Sequence, residues 1–475
     1  MVKKEQNRDE IVEQAARDFL EHFFSWHRNL DEEKVVYDIG EEQLEKLRRM
    51  TIPKEGQEIG QIVHEMSENI LRYGYNVNHS RYFGFIPGPS SMVSWLSDMI
   101  TAAYNRHAGS WATYPGGALI EQELIRWLGD RAGYPKASSG LFVSGGSMAN
   151  MTALTVARDR MLTEETWHLG TAYVSEQTHS SVAKGLRIIG IGNSRIRKIP
   201  TDDQFRMNVE LLKEAIRKDK ENGLIPFVVI ASAGTTNTGS VDPFAEISAI
   251  CKENNLWMHV DGAFGASVLL SKNYRQELDG IELSDSISWD AHKWLFQTYA
   301  CGIVLVKEKR NMIKSFHVHP EYLKDLEMEE EVFNPWDLGM ELTRPARGMK
   351  LWFTLQVMGT DAVSDALEHG IHLAEWAQEE LTRHPAMEII SPAHMAIVNF
   401  RYNPARLSEP EKDELNQQIS KKMVESGYAG VFTTELNGKK VLRICALHPE
   451  TTREDVCETV RRLNGYYDEL MKSEK

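Results

Sequence analysis

Apolar residues along this chain follow two different periods. From Ile11 to Trp26 the positions Ile11, Val12, Ala15, Ala16, Phe19, Leu20, Phe23 and Phe24 recur in pairs four apart, a spacing that puts one wide apolar face on an α-helix. That face predicts packing, within the chain or across a dimer. Between about residues 140 and 307 the pattern changes to short β-rich runs alternating with helix-like stretches. The runs are Leu141–Val143, Ala172–Val174, Arg195–Ile199, Phe227–Ile230, Trp257–Val260, Ser286–Ser288 and Ile303–Val306. Such alternation predicts βα units around a mostly parallel, buried sheet. Ligands of these sheets bind beyond the carboxyl ends of the strands, so the residues just after each run are the candidates for chemistry. Further on, Met349 to Met358 reads as a helix, and Glu388–Ile390, Ala396–Phe400 and Val441–Ile444 read as strands between helices. With no internal repeat or low-complexity linker, the changes of period divide the chain into an N-terminal helical segment (1–91), a large α/β domain (92–350) and a smaller α+β domain (351–475).

Composition narrows the field. Of 475 residues, 42% are apolar and 26% charged, as in ordinary packed proteins. Lys and Arg number 54 against 69 Asp and Glu, a net charge of −15. That charge repels nucleic-acid phosphates and anionic membranes, so neither is an expected partner. No apolar run reaches the roughly 18 residues of a spanning helix, and the N-terminus leads into charge, so a cytoplasmic location is expected. Cys251, Cys301, Cys445 and Cys457 are far apart with no CxxC pair, which predicts reduced core thiols.

Two features carry chemistry. The first strand ends in Ser144-Gly145-Gly146-Ser147 ahead of a helix-forming stretch, where glycines and free helix N–H groups suit a phosphate. A Gly- and Ser-rich turn with no ligand fits the same residues. The segment is not a nucleotide P-loop, a GxGxxG fingerprint or a GxSxG elbow, which excludes those phosphates and that nucleophile. The second feature is the pair Asp261, directly after Leu256–Val260, and Lys293 in Trp289-Asp290-Ala291-His292-Lys293-Trp294. An Asp and a Lys at successive strand ends suit pyridoxal phosphate, the Lys as Schiff base and the Asp as partner of the pyridine nitrogen. A capping Asp and a surface Lys are the plainer reading, weaker for a Lys set between apolar neighbours. His317 and His319 lack further ligands at a metal-site spacing, so no metal is expected.

These and other residues resemble the group II pyridoxal-phosphate-dependent amino-acid decarboxylases. The marks are His259-Val260-Asp261-Gly262-Ala263, His292-Lys293-Trp294, Gly234-Thr235-Thr236, Thr178-His179-Ser180-Ser181 and Pro320-Glu321-Tyr322-Leu323-Lys324, in family order from about residue 50 to the C-terminus. Within that family the chain is similar to bacterial aromatic-amino-acid decarboxylases of the tryptophan decarboxylase type. The resemblance implies the fold type I, aspartate aminotransferase-like architecture, a pyridoxal 5'-phosphate cofactor, and a homodimer with active sites at the subunit interface. It also implies roles: Lys293 the Schiff-base lysine, Asp261 the pyridinium partner, His179 stacked on the ring, Gly146, Ser147 and His292 at the phosphate, and Thr236 and Ala263 against the ring. Tyr322 falls where the family keeps the tyrosine that protonates the substrate carbon after CO2 leaves. Asp290 departs from the Asn of animal relatives and is left out of the expected site. For the substrate pocket the resemblance implies Phe85 and Pro87, in the aromatic run Tyr82–Gly88, with His107 and Trp336. Arg81, directly ahead of that run, is the one cation it offers, which disfavours an acidic substrate. The acidic segment from His317 to Asp337, broken by Pro320 and Pro335, reads as a mobile lid or a solvated loop. The implied activity is decarboxylation of tryptophan, phenylalanine or tyrosine to the arylalkylamine, with an aminotransferase of the same fold as the alternative.

Overall fold

A computed structural model describes residues 2–317 and 333–473. The N-terminal periodicity becomes α1 (Val2–Arg28), followed by β1 (Val36–Tyr37), α2 (Glu41–Arg49), α3 (Ile59–His64) and β2 (Gly74–Tyr75), with β1 and β2 paired antiparallel. Only part of the apolar face of α1 is covered. Phe23 stacks on Trp95 of α4 (Met92–Tyr104) at 4.9 Å between ring centroids, while Ile11, Val12 and Phe24 stay exposed.

After α5 (Pro115–Arg131) come β3 (Ser139–Val143), α6 (Gly146–Met161), β4 (Gly170–Ser175), α7 (Ser180–Ile188), β5 (Ile196–Ile199), α8 (Val209–Glu221), β6 (Ile225–Ser232), α9 (Phe244–Asn254), β7 (Trp257–Asp261), β8 (Ser286–Asp290), the short α10 (Ala291–Trp294), β9 (Gly302–Val306) and α11 (Lys309–Phe316). Every run read as a strand in this region is one. Side chains alternate across the sheet, so Leu141, Val143, Val228 and Ile230 enter one core, while Phe142, Val229 and Ala231 enter the other. Burial on both faces explains the near-continuous apolar runs.

The seven strands lie in the order β3-β9-β8-β7-β6-β4-β5. β9 alone runs antiparallel, to both β3 and β8. The connection from Trp294 to Gly302 is too short for the crossover that a parallel partner requires. Gly302 lets that strand pass the turn after β3, since a Cβ there would run into the backbone of Gly145.

The long α12 (Met349–Leu381), broken at Gly359 where φ is +76°, leads to a second, antiparallel sheet. Its strands β10 (Met387–His394), β11 (Ile397–Tyr402), β12 (Phe432–Leu436) and β13 (Lys439–Cys445) lie in the order β10-β11-β13-β12, with α13 (Glu409–Ser426) and α14 (Arg453–Ser473) packed against them. β12 was not read from the sequence because Thr433, Thr434 and Glu435 interrupt its apolar character. Its hairpin with β13 carries the missed signal, Asn437-Gly438, both with positive φ. Cys251, Cys301 and Cys445 are buried as expected, but Cys457 on α14 is only half-buried.

One buried ion pair links the loop before α12 to the sheet. Arg344 donates to both oxygens of Glu121 on α5 at 2.8 Å and to the carbonyls of Ala108 at 3.1 Å and Phe142 at 2.5 Å. Removing the cation leaves the Glu121 carboxylate with only the Phe142 amide, at 2.9 Å, and deprives two carbonyls of this donor. Arg344→Met is therefore expected to destabilise the chain by about 3–5 kcal/mol, read as a lowered denaturation midpoint. The double variant Glu121→Leu/Arg344→Met recovers much of that loss, because no charge is left stranded.

Candidate active site

The carboxyl ends of β3, β4, β6, β7 and β8 surround one cavity of about 370 Å³. The turn after β3 supplies Ser144 to Met148, the segment after β4 supplies His179 and Ser181, and β6 with its following turn supplies Ser232 and Gly234 to Thr236. Asp261, Ala263 and Phe264 come from the end of β7, and Asp290, His292 and Lys293 from the end of β8. All eight residues expected at a cofactor, Gly146, Ser147, His179, Thr236, Asp261, Ala263, His292 and Lys293, line this cavity.

Lys293 stands on α10 between buried neighbours. Trp294 stacks on Phe264 at 4.9 Å and fixes that short helix, while the lysine side chain keeps 24% exposure toward the cavity. Its Nζ lies 3.1 Å from Oδ2 of Asp290. Asp290 is 2% exposed and its Oδ1 has no hydrogen-bond partner. The sequence reading left this residue out of the site; the structure places it in the wall, in contact with the lysine.

Asp261 is buried, and its carboxylate is well supplied with donors. Oδ1 accepts from the hydroxyl of Ser288 at 3.1 Å and the amide of Ala263 at 3.2 Å, and Oδ2 accepts from Nδ2 of Asn150 at 3.1 Å. These three donors fix the orientation of the carboxylate. His292 accepts the amide proton of Cys301 on Nδ1 at 3.2 Å, and burial lowers its pKa from the ordinary value. It is therefore a neutral imidazole with its proton on Nε2. The N-terminus of α6 has no side-chain cap, so amides of its first turn remain available to an anion. Glycine is required there: a Cβ on Gly146 would meet Oδ2 of Asp290 at 2.8 Å and Cβ of Ala263 at 3.0 Å. His179 caps α7 and accepts on Nδ1 from the Ser181 hydroxyl at 2.8 Å and amide at 3.3 Å, which fixes its ring at the cavity rim.

The residues expected at the substrate are not brought together in this cavity. Phe85 is 57% exposed and stacks on Phe432 at 5.5 Å. Pro87 is buried beside Gly88, which presses on the backbone of His292. His107 and Trp336 pack on each other at 6.2 Å. Arg81 is engaged elsewhere, donating to the carbonyls of Tyr428 and Asp31 and facing Asp455. His317 pairs with Asp337 at 2.9 Å. Tyr322 and His319 lie outside the described residues.

Besides Asp290, two residues that the sequence does not mark belong to the site, Asn150 and Arg443. Arg443 is a buried guanidinium on β13 whose Nη1 donates to the carbonyl of Thr236 at 2.7 Å, with Nη2 unpartnered. Its place beside the cavity wall is long-range, and no local pattern marks it.

Residues 42–403 match the pyridoxal-dependent decarboxylase conserved domain. The chain belongs to that family. It is 37% identical over 422 residues to an aromatic-L-amino-acid decarboxylase of Bacillus atrophaeus, covering 88% of each chain. It is also 29% identical over 423 residues to an L-2,4-diaminobutyrate decarboxylase of Acinetobacter baumannii, covering 85% of this chain and 83% of that one. In fold it matches the crystal structure of Oryza sativa TDC with PLP and tryptamine, with a TM-score of 0.92, 24% identity and coverage of 97% and 98%. The architecture is thus that of fold type I, as expected, and the cofactor is pyridoxal phosphate.

The residues present fit that group. A lysine amine and a donor-saturated carboxylate face one cavity, and an uncapped helix N-terminus with a glycine cradle meets it at one end. A methyl placed in that cradle should disturb the phosphate end before anything else. Gly146→Ala is expected to weaken pyridoxal phosphate binding to the apoprotein by about tenfold or more, roughly 1.4 kcal/mol, measured by fluorescence titration.

Proposed function

We propose that this protein decarboxylates aromatic L-amino acids, of the tryptophan, phenylalanine and tyrosine class, to arylalkylamines and CO2. The observation that carries the reading is the meeting of Lys293 and Asp261 at one cavity, in a chain 37% identical to an aromatic-L-amino-acid decarboxylase. Among the lining residues Lys293 is the one Lys or Arg. Apart from Arg443, which bonds the carbonyl of Thr236, no second cation stands at this wall among the described residues to meet an acidic side chain, which supports an apolar ring over a carboxylate. The family membership disfavours the aminotransferase alternative.

When bound, pyridoxal phosphate supplies an aldehyde for the amino group and a ring that takes up the electron pair left as CO2 departs. Lys293 would anchor the cofactor, and Asp290, 3.1 Å from its Nζ, would hold the free ammonium. Asp261 would be the residue to hold a proton on the ring nitrogen, because a carboxylate facing a pyridine nitrogen favours its charged form. His179 would cover one ring face, and Thr236 and Ala263 would confine the ring. Gly146, Ser147 and the Nε2 proton of His292 bind the phosphate. Tyr322, which falls in the family motif Pro320–Lys324, would return a proton to Cα. Phe85, Pro87, His107 and Trp336 belong on the substrate side.

The same proposal includes a homodimer with interface sites. Leu96, Met99, Ile100 and Tyr104 on α4 and Ile11, Val12 and Phe24 on α1 are exposed, and apolar surface on this scale supports a protein interface. The four free cysteines support a cytoplasmic location. No helix among the described residues is long and apolar enough to cross a membrane.

Offered a panel of amino acids, the purified protein should release CO2 and the matching amine from aromatic members, with glutamate and 2,4-diaminobutyrate turned over at least about tenfold less efficiently. Keto-acid formation without CO2 would overturn the reading. Lys293→Ala should lose turnover and the visible cofactor band while its circular dichroism stays unchanged.

Tyr322→Phe keeps size and apolar character but removes the phenol. Amine yield should fall by about a hundredfold or more, with carbonyl by-products rising, as expected for loss of a general acid. Unchanged amine yield would remove Tyr322 from the reaction.

A further inference from the structure

Asp261 and His179 stand on different elements, yet both lead back to one amide. Asn150, on α6 and 1% exposed, donates from Nδ2 to Oδ2 of Asp261 at 3.1 Å and to the Ser181 hydroxyl at 3.4 Å. Ser181 in turn donates to Nδ1 of His179 at 2.8 Å. A carboxamide can face either way, and the reverse orientation would set its oxygen against the carboxylate of Asp261. What fixes its direction is therefore decisive.

The direction follows from a buried chain that starts at an indole. Trp257 Nε1 can only donate, and it does so to the Ser286 hydroxyl at 2.8 Å. The Ser286 hydroxyl lies 2.9 Å from Nδ1 of His259, and because Asn150 must turn its amide protons to the Asp261 carboxylate and its oxygen to Nε2, the hydroxyl is the donor to Nδ1. This places the proton of His259 on Nε2, which donates to Oδ1 of Asn150 at 2.8 Å. Burial supports that neutral tautomer, holding the pKa of His259 down to about 4 against the opposing charge of Asp261. With Oδ1 committed to His259, the amide protons have one direction left. They point at Asp261 and Ser181.

We propose that Asn150 is a positioning residue that aims Asp261 and His179 at the cofactor ring together, and that His259 sets the orientation of its amide. The proposal rests on the roles given above to Asp261 and His179. It adds that the aim of the Asp261 carboxylate is set through Asn150 from the interior of the sheet. A network serving only to satisfy the core would leave the protonation of the cofactor unaffected, and this separates the two roles.

The test uses holoenzyme reconstituted with pyridoxal phosphate labelled with 15N in the ring, whose resonance reports whether that nitrogen carries a proton. Asp261→Asn should move the resonance toward the unprotonated position. Asn150→Leu, nearly isosteric and without donors, should move it in the same direction. It should also lower kcat by about tenfold or more while KM changes by less than about threefold. His259→Leu should behave likewise, and His259→Gln, which keeps an N–H for Asn150, should recover most of both effects. If Asn150→Leu does not fold, the two His259 variants decide alone. An unmoved resonance in Asp261→Asn would bring down the role of Asp261. A shift in Asp261→Asn together with wild-type resonance and kcat in the soluble Asn150 and His259 variants would overturn the positioning role.

Discussion

A carboxylate at the end of a buried parallel strand is the constraint around which this site is organised. Asp261 terminates β7 with neighbours on both sides, and a carboxylate taken out of water costs several kcal/mol unless donors replace its hydration. Here Ser288 from β8, Ala263 from the following turn and Asn150 from α6 provide them. Each donor belongs to a different element, so the charge is stable only when three parts of the fold are in register. The parallel sheet makes that register available, because its strands end along one edge, where the N-terminus of α6 also opens.

A second carboxylate shows the opposite treatment. Asp290 has one oxygen on Lys293 and the other without a partner. Asp261 is saturated by neutral donors and needs no cation from the chain, whereas Asp290 depends on one. In the proposed reaction the lysine alternates between cofactor and free amine. A carboxylate whose satisfaction depends on the free amine favours the released state and keeps the displaced lysine in place. The asymmetry thus matches one permanent and one intermittent role.

Much of this was legible in the sequence because it is local. Buried parallel strands announce themselves as apolar runs, and Asp261 and Lys293 follow two of them directly. What was missed is non-local or disguised. The reversal of β9 depends on the short link from Trp294 to Gly302, not on the composition of the strand. β12 is an edge strand carrying Thr433, Thr434 and Glu435, so its apolar signal is weak. Asp290 was set aside because it differs from the Asn of animal relatives, although its burial makes it more consequential than a surface substitution. Asn150 sits within a helix and shows nothing unusual until β7 and α7 are packed against it.

The substrate side is where the single chain runs out. Its cavity gathers the groups expected to face a cofactor, whereas Phe85, His107 and Trp336 do not line it: Phe85 is largely in solvent and Trp336 is buried against His107. An exposed aromatic ring stacked on another, as Phe85 is on Phe432, is a costly arrangement for an isolated subunit and an economical one for a surface that a second copy covers. The same holds for the uncovered faces of α1 and α4, which meet each other through Phe23 and Trp95. On this reading the proposed pairing supplies the wall that one chain leaves open, and the apolar stripe seen first in the sequence belongs to the construction of the active site.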